Sequence, residues 1–419
     1  MLKRKLSSII VVALMTNLAA TPLTAFAETI NNKEITQESQ EATVSEAKIS
    51  RFDTYYSNYR EAYDAQFRMS NSNIENVYTN GGYLNYYSKV PNMTDDKLDT
   101  YWETKQKTTD SFKNEVIFTL KEETVLNRIA YRSAWNTVGF AEDFEIWASD
   151  TVDGNDFRLV TTGKAVKTAD MLEIKFNQTN FKRVKFVFKN NGTATISEMM
   201  FYKEDKAADS MSRLFTDNTY ANVSDEFNNE ESLNKLEELI SGHPLYESYK
   251  TSIDDARAIL NKKEIEATTA GMRKVNYTES EEYNNIYKIS RDKIQSIKAA
   301  GGQYLSQAPQ NAIDGSMSTY WETGRGNDSN FKNEVEIMFK EPVKINRVVY
   351  APRQSDLKGF ANEIEIYAST TSKGDTYQLV ATGSYNKVWG LVEAKFKETE
   401  FKRLKFKFKN SDQNWASLS

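Results

Sequence analysis

Residue types that commonly carry out catalysis are scarce in this sequence of 419 residues. The chain has one histidine, His243, and no cysteine, which excludes thiolate chemistry and disulfide bonds. Neither H-E-x-x-H, with two imidazoles one helical turn apart, nor the G-x-S-x-G motif of serine hydrolases occurs. A pair of carboxylates of the glycosidase type stays open, because counts of Asp and Glu do not decide it. The motifs therefore favour binding over catalysis.

Aromatic, arginine and asparagine side chains offer binding chemistry instead. The flat face of an aromatic ring can stack on the apolar face of a pyranose, while Arg and Asn donate hydrogen bonds to its hydroxyls. The candidates for such a site are Arg132, Trp135, Arg353, Trp389, Asn414 and Trp415. The alternative is that these aromatic residues only close the ends of the fold.

A long internal repeat indicates which elements must position these residues. T-Y-W-E-T occurs at residues 100–104 and 319–323, and F-K-N-E-V follows it both times. Further pairs continue in the same order, among them L-N-R-I-A-Y with I-N-R-V-V-Y and F-K-R-V-K-F-V-F-K-N with F-K-R-L-K-F-K-F-K-N. The alignment slips by one residue near Trp135, where a loop would absorb an insertion. The chain therefore contains two copies of one domain.

The matched segments have the alternating pattern of strands. Apolar residues at every second position, as in Val335, Ile337 and Phe339, would face one side, and lysines between such positions would face water. Several such strands per copy, with polar turns between them, predict a β-sandwich of roughly 140 residues. Trp102 and Trp321 occupy matched positions, so we expect them in the two cores. The candidates around Trp135, Trp389 and Trp415 lie where the copies differ, with Arg132 as the looser equivalent of Arg353.

Apolar residues recur at helical spacing between the two copies. One run ends before Gly242 and Pro244, and a second run follows. The two runs consist of Leu233, Leu236, Leu239 and Ile240, and of Tyr246, Tyr249, Ile253, Ala256 and Leu260. They predict a hairpin of two amphipathic helices that spaces the sandwiches or docks on one. Binding of a partner helix by the same apolar stripe is the alternative.

The two ends of the chain carry their own signals. A basic start, an apolar run and the small-x-small sequence Ala25–Ala27 predict a signal peptide at residues 1–27 and export of the protein. Residues 28–50 are polar and predict a disordered leader. The expected domains are sandwich 51–204, helical linker 205–281 and sandwich 282–419. The second copy stops where the first continues S-E-M-M-F-Y, so we expect it to be truncated before its last strand.

Composition argues against a membrane span and against nucleic acid as a partner. No later segment approaches the roughly 20 consecutive apolar residues of a membrane span. The formal net charge is −5, and no basic stripe with interleaved aromatics is present, which argues against nucleic acid.

The motif N-A-I-D-G-S-M-S-T-Y-W-E-T (311–323), together with the later repeat segments, resembles the discoidin domain, the coagulation factor 5/8 C-type family. This family includes the family 32 carbohydrate-binding modules of bacterial glycan-degrading enzymes. The resemblance covers about residues 65–204 and 284–419. It implies a mainly β protein, with two jelly-roll-like antiparallel β-sandwiches joined by a helical segment, that binds without chemistry. The paired arrangement is also similar to the N-terminal region of secreted bacterial enhancin-like zinc metallopeptidases.

The resemblance also implies a structural calcium ion beside the D-G-x-x-x-T-x-W loop, held by hard oxygen ligands. The matching residues of the first copy are Asn92, Asp95, Lys97, Thr100, Ser197 and Glu198. Those of the second copy are Asn311, Asp314, Ser316 and Thr319. Asp96 and Lys97 depart from the family pattern, and the alternative is that Asp95 and Asp314 only cap a turn.

The expected function is that of a secreted, non-catalytic carbohydrate-binding protein. Its tandem modules would bind host or cell-surface glycans, such as those of mucins, and target an associated peptidase domain. Two modules on one chain gain avidity if both engage together. The alternative is a structural spacer or protein-binding adhesion module without a sugar site.

Overall fold

The computed structural model describes residues 44–275 and 286–419. The predicted signal peptide and the predicted leader up to residue 43 lie outside the described residues. The rest of the leader differs from the prediction, because strand β1 (Lys48–Arg51) already pairs with the first sandwich, with Lys48 opposite Lys175. The first sandwich therefore begins a few residues before residue 51.

The first sandwich is built from antiparallel strands. They are β1, β2 (Ile74–Thr79), β3 (Trp102–Glu103), β4 (Asn114–Arg132), β5 (Asp143–Ser149), β6 (Arg158–Lys164), β7 (Leu172–Phe188), β8 (Thr195–Ile196) and β9 (Glu198–Tyr202). The main sheet has the order β2-β4-β7-β5-β6, with β1 on β7 and β9 on β4, while β3 pairs with β8. Strand β4 pairs with β2 up to Leu120 and with β9 from Arg128 onward, so its two halves belong to different layers.

Alternation along β4 fills the space between the layers. Val116, Phe118 and Leu120 are fully buried, and the residues between them are less so. The Phe118 ring lies edge-to-face with the ring of Phe201 in β9, with centroids 5.0 Å apart. The apolar face of each layer is therefore covered by the other layer, as in a β-sandwich.

The second sandwich repeats this arrangement. Its strands are β10 (Thr268–Thr269), β11 (Gly271–Val275), β12 (Ile294–Ala299), β13 (Trp321–Glu322), β14 (Glu334–Tyr350), β15 (Ala361–Ser369), β16 (Gln378–Ser384), β17 (Leu391–Ser411) and β18 (Ser417–Leu418). The sheet order is β10-β16-β15-β17-β14-β12, with β11 on β17 and β13 on β18. The predicted fold class is therefore confirmed. Within the described residues β14 pairs with β12 and β17, whereas its counterpart β4 also pairs with β9.

The predicted start of the second sandwich at residue 282 is too late. Strand β11 takes the place that β1 has in the first copy, since Gly271 faces Lys395 of β17 as Lys48 faces Lys175 of β7. Strand β10 adds a parallel pair with β16. The helical linker therefore ends before Thr268, and residues 276–285 lie outside the described residues.

Four α-helices accompany the sandwiches in the described part of the chain. They are α1 (Arg60–Phe67), α2 (Lys206–Met211), α3 (Glu230–Leu239) and α4 (Tyr246–Leu260). Helices α3 and α4 form the predicted hairpin, and Leu233, Leu236, Ile240, Ile253 and Ala256 are buried together in a small core of its own. Leu239 and Leu260 stay exposed, so the apolar stripe is narrower than the sequence pattern indicates.

A buried polar network ties the helical segment to the first sandwich. One Asp205 carboxylate oxygen accepts a hydrogen bond from Tyr63 (2.9 Å) and lies 3.2 Å from Nε2 of His243. Nδ1 of His243 accepts a hydrogen bond from the Leu245 N–H, so Nε2 carries the ring proton and donates a hydrogen bond to Asp205. Burial opposes ionisation of Asp205, but these donors keep its pKa below the ordinary value. Arg128 of β4 completes the network by donating to the Tyr63 hydroxyl.

A second set of buried contacts ties α4 to the second sandwich. The Asp255 carboxylate accepts hydrogen bonds from the backbone N–H and the hydroxyl of Ser372, both at 2.6 Å. Lys373 donates to the Ser252 hydroxyl (3.0 Å), and its ammonium lies 4.2 Å from the ring centroid of Tyr220. The helical segment thus contacts both sandwiches rather than one.

Candidate functional site

The two tryptophans of the repeated T-Y-W-E-T motif lie in the cores, as predicted. Trp102 and Trp321 are fully buried, and each packs against a phenylalanine of the neighbouring long strand. Their indole N–H groups donate to the carbonyls of Gly82 and Gly302, at 3.0 and 2.8 Å. Because both faces and the polar atom of each ring are used, neither tryptophan can stack on a ligand.

The residue after each core tryptophan is a glutamate, and in the second sandwich it organises a charged group. Glu322 is only 5% exposed. It accepts a hydrogen bond from Arg353 at 2.7 Å and lies 3.6 Å from the ammonium of Lys358. Arg353 also pairs with Asp356 and lies 5.1 Å from the ring centroid of Tyr320. Burial opposes the charge of Arg353, but its acidic partners Asp356 and Glu322 raise its pKa above the ordinary value, so the guanidinium stays ionised.

Aromatic rings stand beside these charges. The ammonium of Lys358 lies 4.5 Å from the ring centroid of Trp415, and the Tyr304 ring meets the Trp415 ring edge-on at 6.5 Å. Tyr304 is 48% exposed, and Trp415 is half-buried. We call Tyr304, Glu322, Arg353, Lys358 and Trp415 the loop-end cluster. It combines aromatic surface with hydrogen-bond donors held by a buried acid.

The other two candidates of the second copy lie near the loop-end cluster. Asn414 directly precedes Trp415, has an exposed side chain and accepts the Asn327 N–H through its carbonyl at 2.6 Å. Trp389 is 50% exposed on the loop between β16 and β17. That loop is joined to the Arg353 loop by a hydrogen bond from the Gly390 N–H to the Gln354 side chain (3.3 Å). The structure thus brings Arg353 and Trp415 together and leaves Trp389 on an adjacent loop.

The corresponding end of the first sandwich has different chemistry. Shared backbone contacts identify the equivalent positions: Ala134 and Arg353 both donate their N–H to a hydroxyl of the short strand β8 or β18. Glu103 corresponds to Glu322, because its carbonyl accepts the Leu84 N–H as the Glu322 carbonyl accepts the Tyr304 N–H. The remaining cluster positions are occupied by Leu84, Val138 and Thr193. The first copy therefore keeps the acid but has none of the cluster's aromatic or cationic partners.

The sequence-based equivalence of Arg132 with Arg353 is wrong. Arg132 ends β4, and its guanidinium donates to the backbone carbonyls of Ala169 (2.7 Å) and Leu98 (3.1 Å). Counting on from the matched Tyr131 and Tyr350 places Ala134 opposite Arg353, because the one-residue slip of the repeat falls after this position. Trp135 is 66% exposed on the neighbouring loop, so it stays available for a contact.

The candidate calcium loop of the first copy contains an unusual buried acid. Glu198 is 1% exposed, and neither of its carboxylate oxygens has a hydrogen-bond partner. Burial, followed by the negative charges of Asp96 and Asp95, raises its pKa to about 8. The Asp95 carboxylate accepts the Thr100 hydroxyl at 2.9 Å, and the Ser197 hydroxyl donates to the carbonyl of Thr100 at the same distance.

The remaining candidate ligands of the first copy use their side chains or backbone within the loop. The Asn92 side-chain amide donates to two backbone carbonyls, which leaves its own backbone carbonyl as the possible ligand. The carbonyl of Lys97 accepts the Thr100 hydroxyl at 3.2 Å. In the described part of the chain, no group of three or more His, Cys, Asp or Glu side chains is placed to hold a metal ion. A calcium site here needs hydroxyl and carbonyl oxygens as well as the two carboxylates.

The same loop of the second copy is occupied by a cation of the protein itself. The Asp314 carboxylate accepts the Thr319 hydroxyl and the Ser316 N–H (2.8 Å), and these donors lower its pKa. The guanidinium of Arg291 donates to the Asp314 carbonyl. Asn311 donates its side-chain amide to the Tyr320 carbonyl at 3.0 Å. Arg291 therefore places a positive charge beside the loop for which the resemblance implies a calcium ion.

Comparison with known proteins identifies the class to which these sandwiches belong. The model of the F5/8 type C domain matches residues 69–200 and 293–419, so the chain belongs to this family. Within residues 44–275 and 286–419, no helix is both long enough and apolar enough to cross a membrane.

Individual relatives extend the comparison to the tandem arrangement. The chain is similar to the CBM32-1 and CBM32-2 domains of Clostridium perfringens ZmpB, with 46% identity over 89% of this chain and 98% of that one and a TM-score of 0.76. A structure of the same domains in complex with GalNAc matches at 46% identity, covering 90% of this chain and 96% of that one, with a TM-score of 0.66. The chain also covers 40% of a ZmpB structure that includes the M60 catalytic domain, at 47% identity over 89% of this chain, with a TM-score of 0.77. Since these matched domains are binding modules, the described chain is a tandem of non-catalytic modules.

A curated relative matches over a shorter stretch. The A type blood N-acetyl-alpha-D-galactosamine deacetylase of Flavonifractor plautii is 33% identical over 91 residues, which is 22% of this chain. The chain spans only 11% of the length of that enzyme.

The sequence analysis missed Tyr304, Glu322 and Lys358. A usable signal existed for two of them, because Tyr304 and Lys358 stand where the first copy has Leu84 and Val138. Glu322 belongs to the repeated motif, so comparison of the copies points to packing and gives no sign of its role.

Proposed function

We propose that the chain binds glycans through the loop-end cluster of the second sandwich. The observation that carries this proposal is the buried Glu322, which holds Arg353 and Lys358 beside the rings of Trp415 and Tyr304. A buried acid that fixes two cations preorganises donors, and preorganisation reduces the entropy lost on binding.

The donors retain capacity for a ligand. The Arg353 guanidinium has five N–H groups, and contacts with Glu322, Ser355 and Asp356 account for three of them. The Lys358 ammonium has three N–H groups and faces Glu322 and the Trp415 ring. Free donors would bind sugar hydroxyls, while the aromatic faces would cover the apolar side of the ring. Asn414 and Trp389 lie close enough in the fold to extend the site.

N-acetylgalactosamine is the sugar that we propose for this site. A similar tandem was solved in complex with GalNAc, and the deacetylase relative acts on N-acetyl-galactosamine of the blood group A type. Glycoproteins rich in this sugar, such as mucins, are the proposed partners. The protein would be exported by its N-terminal signal and would bring an associated peptidase domain to such glycoproteins, since one similar structure carries an M60 domain.

Calorimetric titration of the chain with GalNAc tests the proposal. Trp415→Ala removes an aromatic wall and is expected to weaken binding about tenfold, the effect typical of truncating an aromatic contact residue. Trp135→Ala is the matched control, because it removes an exposed tryptophan from the other sandwich. Equal losses in both variants, or none in either, would contradict the proposed site.

The residues at the corresponding end of the first sandwich favour a second function, that of a spacer. Its Glu103 has no cationic or aromatic partner of the cluster type, since Ala134, Val138 and Thr193 take those positions. We infer that this sandwich acts mainly as a spacer, with exposed Trp135 as its remaining candidate for a sugar contact. A glycan array of the chain with Arg353→Ala tests this inference: residual binding that requires Trp135 would reject it.

We also propose that the first sandwich binds a structural calcium ion. Glu198 supports this, because a buried carboxylate without hydrogen-bond donors is unfavourable unless it is protonated or coordinates a cation. Side-chain oxygens of Asp95, Thr100 and Glu198 would hold the ion with backbone carbonyls of Asn92, Lys97 and Ser197. The ion would bridge the loop that contains Asp95 and Thr100 to Glu198 of β9. Among the described residues, the second copy has no buried carboxylate without a hydrogen-bond donor, so we make no such proposal there.

A further inference from the structure

Leu305 has an unusual conformation for an exposed leucine. Its φ is +48°, in the left-handed region that favours glycine, and 75% of its surface is exposed. It is a central residue of the turn closed by the hydrogen bond from the Gln307 N–H to the Tyr304 carbonyl (2.9 Å). The side-chain amide of Gln303 supports the turn by donating to the Leu305 carbonyl at 2.8 Å.

Packing within the chain does not explain this residue. Leu357, also in the second sandwich, has a φ of +58°, but it is buried, with only 6% of its surface exposed. Leu305 combines backbone strain with an exposed apolar side chain, and neither is offset by burial. At the equivalent place in the first copy, Asn85 has an extended backbone (φ −159°) and caps a short helical turn through its side chain. The leucine conformation is therefore particular to the second sandwich.

Leu305 adjoins the proposed sugar site. It directly follows Tyr304, whose ring contacts Trp415 of the loop-end cluster. The charged residues of the cluster suit hydroxyl groups, whereas Leu305, next to Tyr304 in the chain, has an exposed apolar side chain. We propose that Leu305 is a specificity-determining residue that contacts the methyl group of an acetamido substituent on the bound sugar.

This inference rests on the proposed function and adds the reason why an N-acetylated sugar would be preferred. Galactose and GalNAc share their other ring hydroxyls and differ in the acetamido group at one carbon. Covering one methyl group favours binding by about fourfold, the fold-change that corresponds to about 0.8 kcal/mol. Strain at the site of binding is a recurrent feature of preorganised contacts.

The test is a comparison of GalNAc and galactose affinities for the intact chain and for Leu305→Asn. Asparagine tolerates the left-handed conformation, so this variant keeps the turn and removes the apolar contact. We expect the ratio of the two affinities to fall about fourfold, with galactose affinity unchanged and a melting temperature equal to or above that of the parent. Leu305→Met, which restores apolar surface, should recover most of the preference for GalNAc.

Two results would overturn the inference while leaving the sugar site in place: an unchanged affinity ratio in Leu305→Asn, or an equal loss for both sugars. If the parent chain binds neither sugar, the proposed function fails and this inference fails with it.

Discussion

The two sandwiches have equivalent cores and differ at one end. Trp102 and Trp321 are equally buried and donate to equivalent glycine carbonyls, and a glutamate follows each of them. Only Glu322 has cationic partners, because Arg353 stands where the first copy has Ala134. After the duplication, residues that face the core kept their types while loop residues diverged, so the same scaffold presents a charged aromatic surface in one copy and a mostly apolar one in the other.

The loops beside the core tryptophans differ in a second way. The first copy has Glu198 buried without donors, and the second has the Arg291 guanidinium at the Asp314 carbonyl. The first arrangement suits a bound cation, and the second places a side-chain cation of the chain there. Arg68 of the first copy also pairs with Asp96 of this loop at 2.6 Å, so the two loops differ in the donor-free carboxylate of Glu198 rather than in the presence of a side-chain cation.

The largest effect is expected from truncation of the equivalent tryptophan in either core. Trp102→Ala and Trp321→Ala should each lower the free energy of unfolding of their own sandwich by about 3–5 kcal/mol, because a large buried side chain leaves a cavity. Denaturant unfolding followed by fluorescence measures this. Similar losses in the two variants support equivalent cores, and a difference of several kcal/mol would show that the cores are not equivalent.

Calcium should stabilise the first sandwich by about 2.7 kcal/mol at a concentration 100 times its dissociation constant. Without metal, the folded Glu198 keeps its proton up to a pKa of about 8, whereas the unfolded glutamate ionises near 4.5. Since the folded state then binds more protons, the stability of the metal-free protein should fall as pH rises from about 4.5 to 8.

Thermal melts with calcium or a chelator, at several pH values, measure both effects. Glu198→Gln should remove the response to calcium and flatten the dependence on pH. Asp314→Asn, the control in the second copy, should leave both unchanged. A calcium response that survives Glu198→Gln would place the ion elsewhere.

The contact of the helical segment with the second sandwich should depend on Asp255. Asp255→Ala removes two short hydrogen bonds to Ser372 and should lower stability by about 2 kcal/mol. Asp254→Ala is the matched control, because the neighbouring carboxylate is half exposed and forms surface ion pairs worth less than about 1 kcal/mol. Equal melting temperatures for the two variants would mean that the buried contact is not important for stability.

The smallest effect is expected from single exchanges at the differing ends. Lys358→Ala should weaken GalNAc binding only about threefold to tenfold, since Arg353 and the aromatic rings remain. Val138→Lys, the reverse exchange in the first sandwich, should create no new site, because Ala134 and Thr193 are unchanged. Calorimetric titration of both variants checks this, and a gain of binding in Val138→Lys would mean that one cation is sufficient.

Much of the fold could be predicted from the repeat. Alternation in segments such as Val335, Ile337 and Phe339 is a direct consequence of one buried face, and helical spacing from Leu233 onward marks the hairpin. The strand Gly271–Val275 could not be recognised in this way, because its five residues have no clear alternation and its place depends on pairing with β17. The boundary error at residue 282 follows from that.

The candidate site was predictable only in part. Arg353, Asn414 and Trp415 lie in loops that differ between the copies, so comparison of the copies selected them. Arg132 was matched to Arg353 by residue type, whereas counting on from Tyr131 and Tyr350 places Ala134 opposite Arg353, in agreement with the backbone hydrogen bonds. Glu322 could not be distinguished from Glu103 by sequence, since its role depends on which side chains other loops bring to it.

The most direct measurement is the stoichiometry of GalNAc binding to the intact chain, followed in parallel for Arg353→Ala and Trp135→Ala. We predict one site per chain, loss of that site in Arg353→Ala and full retention in Trp135→Ala. Two equivalent sites per chain, or one site that survives Arg353→Ala, would contradict the assignment of sugar binding to the second sandwich.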